Sequence, residues 1–288
     1  MTLAGITQIG EFICDNCSAN QLICKPRKVV THVCEMYAVN AGRPVKNDAY
    51  LREFFSDSKW NPHGWGLAWH EGTNLRLFKE PVTAFESSYL EYLINMGISC
   101  DMLIAHIRNA TRGLINYANC HPFVGLDHSG RRWMLMHNGT VIEDELLRPY
   151  ESQQAGTTDS ERVLLLLLER LNEAIARNDG ALDAEKRYDV IARLIADLSP
   201  NNKLNLVIDD GERTYAHTNT IQPTLYANRQ PGVVYLCSRP LGDELPWEAL
   251  TRCSLFAMER GRIVRMDKVH DGLFDNDHYL QMIAEGLI

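Results

Sequence analysis

The tripeptide His137-Asn138-Gly139 closes an apolar run, Trp133-Met134-Leu135-Met136. A strand that ends in an amide side chain followed by glycine sets two N–H donors side by side, the Asn138 carboxamide and the Gly139 backbone amide. Two convergent donors are what the oxyanion of a tetrahedral acyl intermediate requires. Asn-Gly is equally the commonest signal for a tight hairpin turn, so the tripeptide alone leaves both readings open. Cys14-Asp-Asn-Cys17, with Cys24 and His32, can be drawn as a zinc site serving a metal-binding interaction module. One CxxC without a second matched pair is a weak metal signal, and a short leader is the plainer reading.

The texture turns globular at Cys34. Cys34 to Asn40 reads as a strand, Asp48 to Phe55 as a short helix, and Gly64 to Trp69 with Leu75 to Phe78 as paired strands. Ala84 to Asn95 reads as helical. Met102 to Arg108 is a buried strand that delivers its polar end to a loop, and Arg131 to His137 is the strand that carries the opening tripeptide. Thr158-Asp159-Ser160-Glu161 matches a capping box and starts a long helix through about Ala176. The leucines at 164–168 leave that helix little polar face, so both its sides are expected to be covered. A second helix follows from Ala184 to Leu198. Strands at 204–208, 213–217, 233–238, 254–258 and 262–266 complete the pattern. Blocks of strands, then helices, then strands point to layered α+β rather than alternating βαβ units.

The 288 residues suffice for one large domain, with 45% hydrophobic and 23% charged residues, an ordinary balance for a globular protein. A net charge of −8 argues against broad binding to nucleic acid or an anionic membrane. No apolar run approaches the roughly 18 residues that a bilayer span needs. Eight cysteines are too sparse for a disulfide scaffold, which suggests a reducing, cytoplasmic compartment. No cofactor motif occurs.

Six segments fall in one order: Cys34, Gly64-Trp65-Gly66, Ala105-His106-Ile107-Arg108-Asn109-Ala110-Thr111-Arg112-Gly113, Asn119-Cys120-His121-Pro122-Phe123, His137-Asn138-Gly139, and Thr158-Asp159-Ser160-Glu161. Together they resemble the class II glutamine amidotransferases, over residues 34–266. The order and spacing are similar to the stand-alone branch, which includes γ-glutamyl amidohydrolases. The resemblance implies an N-terminal-nucleophile fold, a four-layer αββα sandwich, and hydrolysis of glutamine or another γ-glutamyl amide with no cofactor or metal. Cys34 would be the nucleophile that forms a γ-glutamyl thioester, with its own α-amino group as base. Such an amine titrates near ~8, so a useful fraction is neutral at neutral pH. Asn138 and Gly139 would form the oxyanion hole. Arg108 would clamp the substrate α-carboxylate, Asp159 would hold the α-ammonium, and Thr111 and Trp65 would line the same pocket. His106 and His121 are assigned structural roles.

The family places its cysteine at the mature N-terminus, whereas 33 residues precede Cys34 here. Residues 1–33 are therefore expected to be a leader, a removable pro-segment or the product of a mis-called start at Val33. Residues 34–288 then form the amidotransferase domain. No synthase domain is legible, so the ammonia goes either to a separate synthase subunit or into solution.

Overall fold

A computed structural model describes residues 34–72, 74–110, 113–142, 145–242 and 246–284. Residues 1–33, with the cysteine pattern at 14, 17 and 24, lie outside the described residues, as does Thr111.

Among the described residues, thirteen strands and five α-helices follow in chain order. They are β1 (Glu35–Lys46), α1 (Asp48–Ser56), β2 (Trp65–Glu71), β3 (Asn74–Glu80), α2 (Ser88–Asn95), β4 (Ser99–Ile107), β5 (Phe123–Leu126) and β6 (Arg132–His137). Then come α3 (Asp159–Asn178), α4 (Ala184–Leu198), β7 (Leu206–Asp209), β8 (Thr214–Thr218), β9 (Tyr226–Gln230) and β10 (Val233–Cys237). β11 (Glu248–Ala249), β12 (Ser254–Glu259), β13 (Arg262–Lys268) and α5 (Asn276–Ala284) complete the chain.

The strands form two antiparallel sheets. One has seven strands in the order β11-β9-β10-β1-β4-β2-β3, and the other six in the order β13-β12-β8-β7-β6-β5. Side chains alternate faces along a strand, and β1 uses both faces. Tyr37, Val39 and Ala41 pack with Leu51, Phe54 and Leu90 of α1 and α2. Met36 and Ala38 point the other way and meet Met134, Met136 and Val207 of the second sheet. In β6, Trp133 and Leu135 turn outward onto Val163, Leu167 and Ile191 of α3 and α4. These three apolar clusters fill the three gaps of an αββα sandwich, the architecture expected from the sequence.

Two local expectations need correction. The helix expected at Ala84–Asn95 begins only at Ser88, because the Ser87 hydroxyl accepts from the Leu90 N–H and caps it there. Residues Ala84–Glu86 form a separate 3-10 turn. β5, β9 and α5 were not legible in the sequence; the first two are short strands that depend on their neighbours for pairing. The leucine-rich helix does have both sides covered: Leu164, Leu166 and Leu167 are buried while Leu165 and Leu168 are half-buried. No helix among the described residues is long and apolar enough to cross a membrane.

Candidate active site

The alternation that builds the inter-sheet core also builds the site. Cys34 continues the parity of Met36 and Ala38, Arg108 that of Ile104, and Asn138 that of Met134 and Met136. All three therefore leave their strands on the face shared by the two sheets. Glu35 is registered opposite Ile107, so the nucleophile candidate and Arg108 emerge side by side where β1 begins and β4 ends. A cleft at this end of the sandwich is lined by Cys34, Arg108, Asn109, His121, Gly139 and Asp159, among others.

Cys34 is half-buried. Its thiol donates to the Asn109 carbonyl at 3.3 Å and accepts from the Asn109 N–H at 3.2 Å. Burial pushes the thiol above its ordinary range, against the lowering pull of that N–H and of the Arg108 and Lys203 charges. The Asn138 carboxamide donates to the Cys34 carbonyl, while the Asn138 backbone carbonyl accepts from the Asn205 carboxamide at 2.9 Å. Gly139 follows at a position that admits no side chain: a Cβ there would lie 2.0 Å from the Lys203 carbonyl and 2.1 Å from His137 Nε2. Thr140 and Lys203 bridge the next step in antiparallel fashion. His137 is fixed between Ser160 Oγ and the Lys203 carbonyl, each at 3.0 Å. The tripeptide is thus a strand exit tied to β7 rather than the apex of a hairpin.

Arg108 is buried and its Nη1 donates to the Leu114 carbonyl at 3.0 Å. Its backbone is held by Gly64 and His63. Asp159 opens α3. One carboxylate oxygen accepts from the Ser160 N–H at 2.8 Å and the other from the Val141 N–H at 2.8 Å. The first of these, Oδ1, also accepts from the Ser160 hydroxyl at 3.4 Å, so it is Oδ2 that keeps a further lone pair for a ligand. Thr158 is the N-cap, accepting from the Glu161 N–H. Glu161 reaches back past Thr158 to the N–H groups of Ala155 and Gly156, both at 2.7 Å, so the reciprocal capping box is opened into a wider clamp.

Trp65 is a correction. It is fully buried in the core beneath α1, its indole N–H donates to Glu80 at 3.2 Å, and it does not line the cleft. The flanking glycine explains the motif instead. A Cβ on Gly66 would fall 1.7 Å from the His121 carbonyl, so the spacing lets β2 lie against the segment that carries His121.

The sequence reading did not anticipate how closely the histidines cluster. His106 and His121 stack with ring centroids 4.1 Å apart, and all four of their ring nitrogens are buried without a hydrogen-bond partner among the described residues. Burial holds His106 neutral by lowering its pKa to about 3, with Arg108 and His137 adding to the effect. His121 is driven well below its usual value for the same first reason. Lys203, buried behind Gly139, was also missed; burial lowers its pKa while the nearby Cys34 raises it. Neither could be found from local pattern, since nothing near Lys203 in sequence marks it as a neighbour of Cys34. Among the described residues no group of three or more His, Cys, Asp or Glu is placed to hold a metal ion.

Comparison with known proteins places these features in a family. Residues 33–232 match the family described as glutamine amidotransferases class-II. The chain is 33% identical over 161 residues to YafJ of Escherichia coli K12, named as a candidate glutamine amidotransferase, covering 55% of this chain and 62% of that one. It is 28% identical over 189 residues to the γ-glutamyl-hercynylcysteine sulfoxide hydrolase of Mycolicibacterium smegmatis, covering 65% of this chain and 73% of the relative. The fold matches the crystal structure of the Bacillus subtilis glutamine phosphoribosylpyrophosphate amidotransferase with a TM-score of 0.61 at 13% identity, over 83% of this chain and 50% of that one. The chain spans 62%, 64% and 50% of the lengths of three curated relatives.

Proposed function

This chain belongs to the class II glutamine amidotransferase family, and on that premise we propose that it hydrolyses a γ-glutamyl amide, with glutamine as the default substrate, through a thioester on Cys34. One observation carries the reading. Cys34, Arg108, Gly139 and Asp159 line one cleft although they do not all come from one layer, and the Asn138 carboxamide bonds to the Cys34 carbonyl beside it.

In the proposed sequence, Arg108 takes the α-carboxylate with the planar fork that suits it and Asp159 takes the α-ammonium. The γ-carbonyl then faces Cys34. Sulfur adds to the carbonyl carbon, and the resulting oxyanion is held by Asn138 and the Gly139 N–H. The C–N bond breaks, the nitrogen leaves as ammonia carrying the thiol proton, and a γ-glutamyl thioester remains. Water attacks that thioester and releases the acid. Cys34's α-amino group is the base, so the active species begins at Cys34 and residues 1–33 are absent from it.

A second reading keeps the machinery and enlarges the leaving amine. The mycobacterial relative, named as a hydrolase of a γ-glutamyl conjugate, favours it. With glutamine as substrate, the ammonia passes to a separate synthase subunit or into solution. The free thiols Cys100, Cys120, Cys237 and Cys253 fit a reducing, cytoplasmic setting.

The test compares ammonia release from glutamine with glutamate release from γ-glutamyl dipeptides, using the wild type and Cys34→Ala. Turnover of glutamine that Cys34→Ala abolishes supports the default. Turnover of the dipeptides alone moves the assignment to the conjugate hydrolase. Turnover that survives Cys34→Ala overturns the thioester route.

A further inference from the structure

Arg108 and Asp159 come from different layers. Arg108 ends a strand of the seven-stranded sheet, and Asp159 begins the helix packed on the six-stranded one. A clamp that reads both ends of an α-amino acid binds it well only if the gap between its two arms is fixed, because an arm held out of reach leaves a charged group without its partner. Something outside either layer must hold that gap.

Asn119 occupies the position to do so. It lies in a 3-10 turn between β4 and β5 and is fully buried. Its Nδ2 donates to the Leu114 carbonyl at 2.8 Å, the same oxygen that anchors Arg108 Nη1. The same nitrogen donates to Thr157 Oγ1 at 2.9 Å, and Asn119 Oδ1 accepts from the Thr157 N–H at 2.7 Å. Thr157 Oγ1 in turn accepts from the Leu114 N–H at 3.2 Å. Thr157 immediately precedes the Thr158 N-cap and Asp159. The fit is close on this side too, since a Cβ on Gly156 would lie 2.2 Å from Asn119 Oδ1. One carboxamide therefore bonds both to the loop that anchors the first arm and to the turn that launches the second.

We propose that Asn119 is a positioning residue that, through Leu114 and Thr157, sets the distance between Arg108 and Asp159 and so selects substrates bearing both an α-carboxylate and an α-ammonium. The proposal rests on the clamp roles given to Arg108 and Asp159 above. Buried amides with all their hydrogen-bonding groups satisfied are suited to the task, because any displacement leaves a polar group unpaired.

The test uses wild type, Asn119→Ala, Thr157→Val and Thr157→Ser, all produced from the full 288-residue sequence. Two substrates are compared: glutamine, and 4-carbamoylbutanoate, which is glutamine without the α-ammonium. Asn119→Ala and Thr157→Val are expected to raise KM for glutamine about tenfold with kcat within about twofold, the signature of lost uniform binding. kcat/KM for 4-carbamoylbutanoate should fall less than about threefold, since a one-armed ligand is indifferent to the gap. Thr157→Ser, which keeps the hydroxyl, should retain wild-type constants. Proportional losses on both substrates, or a loss in kcat alone, would reduce Asn119 to a structural residue and overturn the proposal. If Asn119→Ala does not fold, the two Thr157 variants decide. If the wild type, shown by intact mass to begin at Cys34, hydrolyses neither substrate, the proposed function falls separately. Calorimetric titration with L-glutamate and with glutarate then reads the clamp directly: equal weakening of both by Thr157→Val refutes the positioning role, and selective weakening of glutamate supports it.

Discussion

The carboxamide of Asn138 donates to the carbonyl of Cys34, a residue 104 positions earlier in the chain. The bond crosses from one sheet to the other and brings a side-chain donor to the residue that carries the candidate nucleophile. Asn138→Ala removes that donor while leaving β6 and its outward face intact. The expected loss in kcat is on the order of 10²–10³, with KM changed much less. Steady-state kinetics check it, and a loss below tenfold would remove Asn138 from the oxyanion hole.

The proposed mechanism needs a free amine on Cys34. Intact-mass measurement of the hydrolytically active fraction should find a chain that starts at Cys34. A species that begins at Met1 and still turns over glutamine would sink the N-terminal-cysteine mechanism.

Arg108 both contacts the cleft and donates Nη1 to the Leu114 carbonyl. An ammonium is a point donor that cannot span a protein carbonyl and a substrate carboxylate with the same planar fork. Arg108→Lys should therefore raise KM for glutamine by about 10- to 100-fold, equivalent to roughly 1.4–2.8 kcal/mol of binding, while kcat changes less. An unchanged KM would place the α-carboxylate elsewhere.

Gly139→Ala forces a methyl group onto the Lys203 carbonyl and the His137 ring. Overpacking of this kind costs about 1–3 kcal/mol. Urea unfolding should register that loss, and hydrolysis should fall further than the fraction unfolded explains, because the Gly139 N–H moves with its backbone. Full activity in Gly139→Ala would contradict the placement of this residue.

Stability should decline in mild acid for a reason located beside the site. His106 is buried and kept neutral, its pKa lowered to about 3. In the unfolded chain it titrates near ~6.5, so below that pH the unfolded state binds a proton that the folded state refuses. Stability falls from about pH 6.5 downward at up to roughly 1.4 kcal/mol per pH unit from this residue, and levels off only below its folded value. His217, lowered to about 3 by burial, adds an equal slope. Urea unfolding between pH 7 and 4 should show the decline, and His106→Gln should flatten it by close to one proton. An unchanged slope would mean that His106 already carries its charge in the folded protein.

Much of the candidate site was legible in the sequence. Strand parity is local, so the run from Trp133 to Met136 already fixed which side chains share a face with Asn138. Thr158 was readable as an N-cap because a hydroxyl accepts a backbone N–H two or three positions on, a relation contained within one helical turn. Six short segments in order singled out Arg108, Asn138, Gly139 and Asp159 as candidates. Periodicity also gave the long leucine-rich helix and its covered sides.

What local pattern could not supply was the pairing of layers. The Asn138–Cys34 bond, the Lys203 carbonyl against Gly139, and the Asn119 link between two loops all join residues far apart in sequence. Such contacts depend on which sheet packs on which, and many sequences share the same local signals. Trp65 shows the same limit from the other side. Its motif placed it near the cleft, but its strand turns that side chain toward α1, where burying a large indole and pairing its N–H with Glu80 is the more favourable arrangement. The sequence by itself determined the chemical inventory and the face each residue takes. The tertiary structure decided which of those faces meet, because the close packing of two sheets and two helical layers is a property of the whole chain.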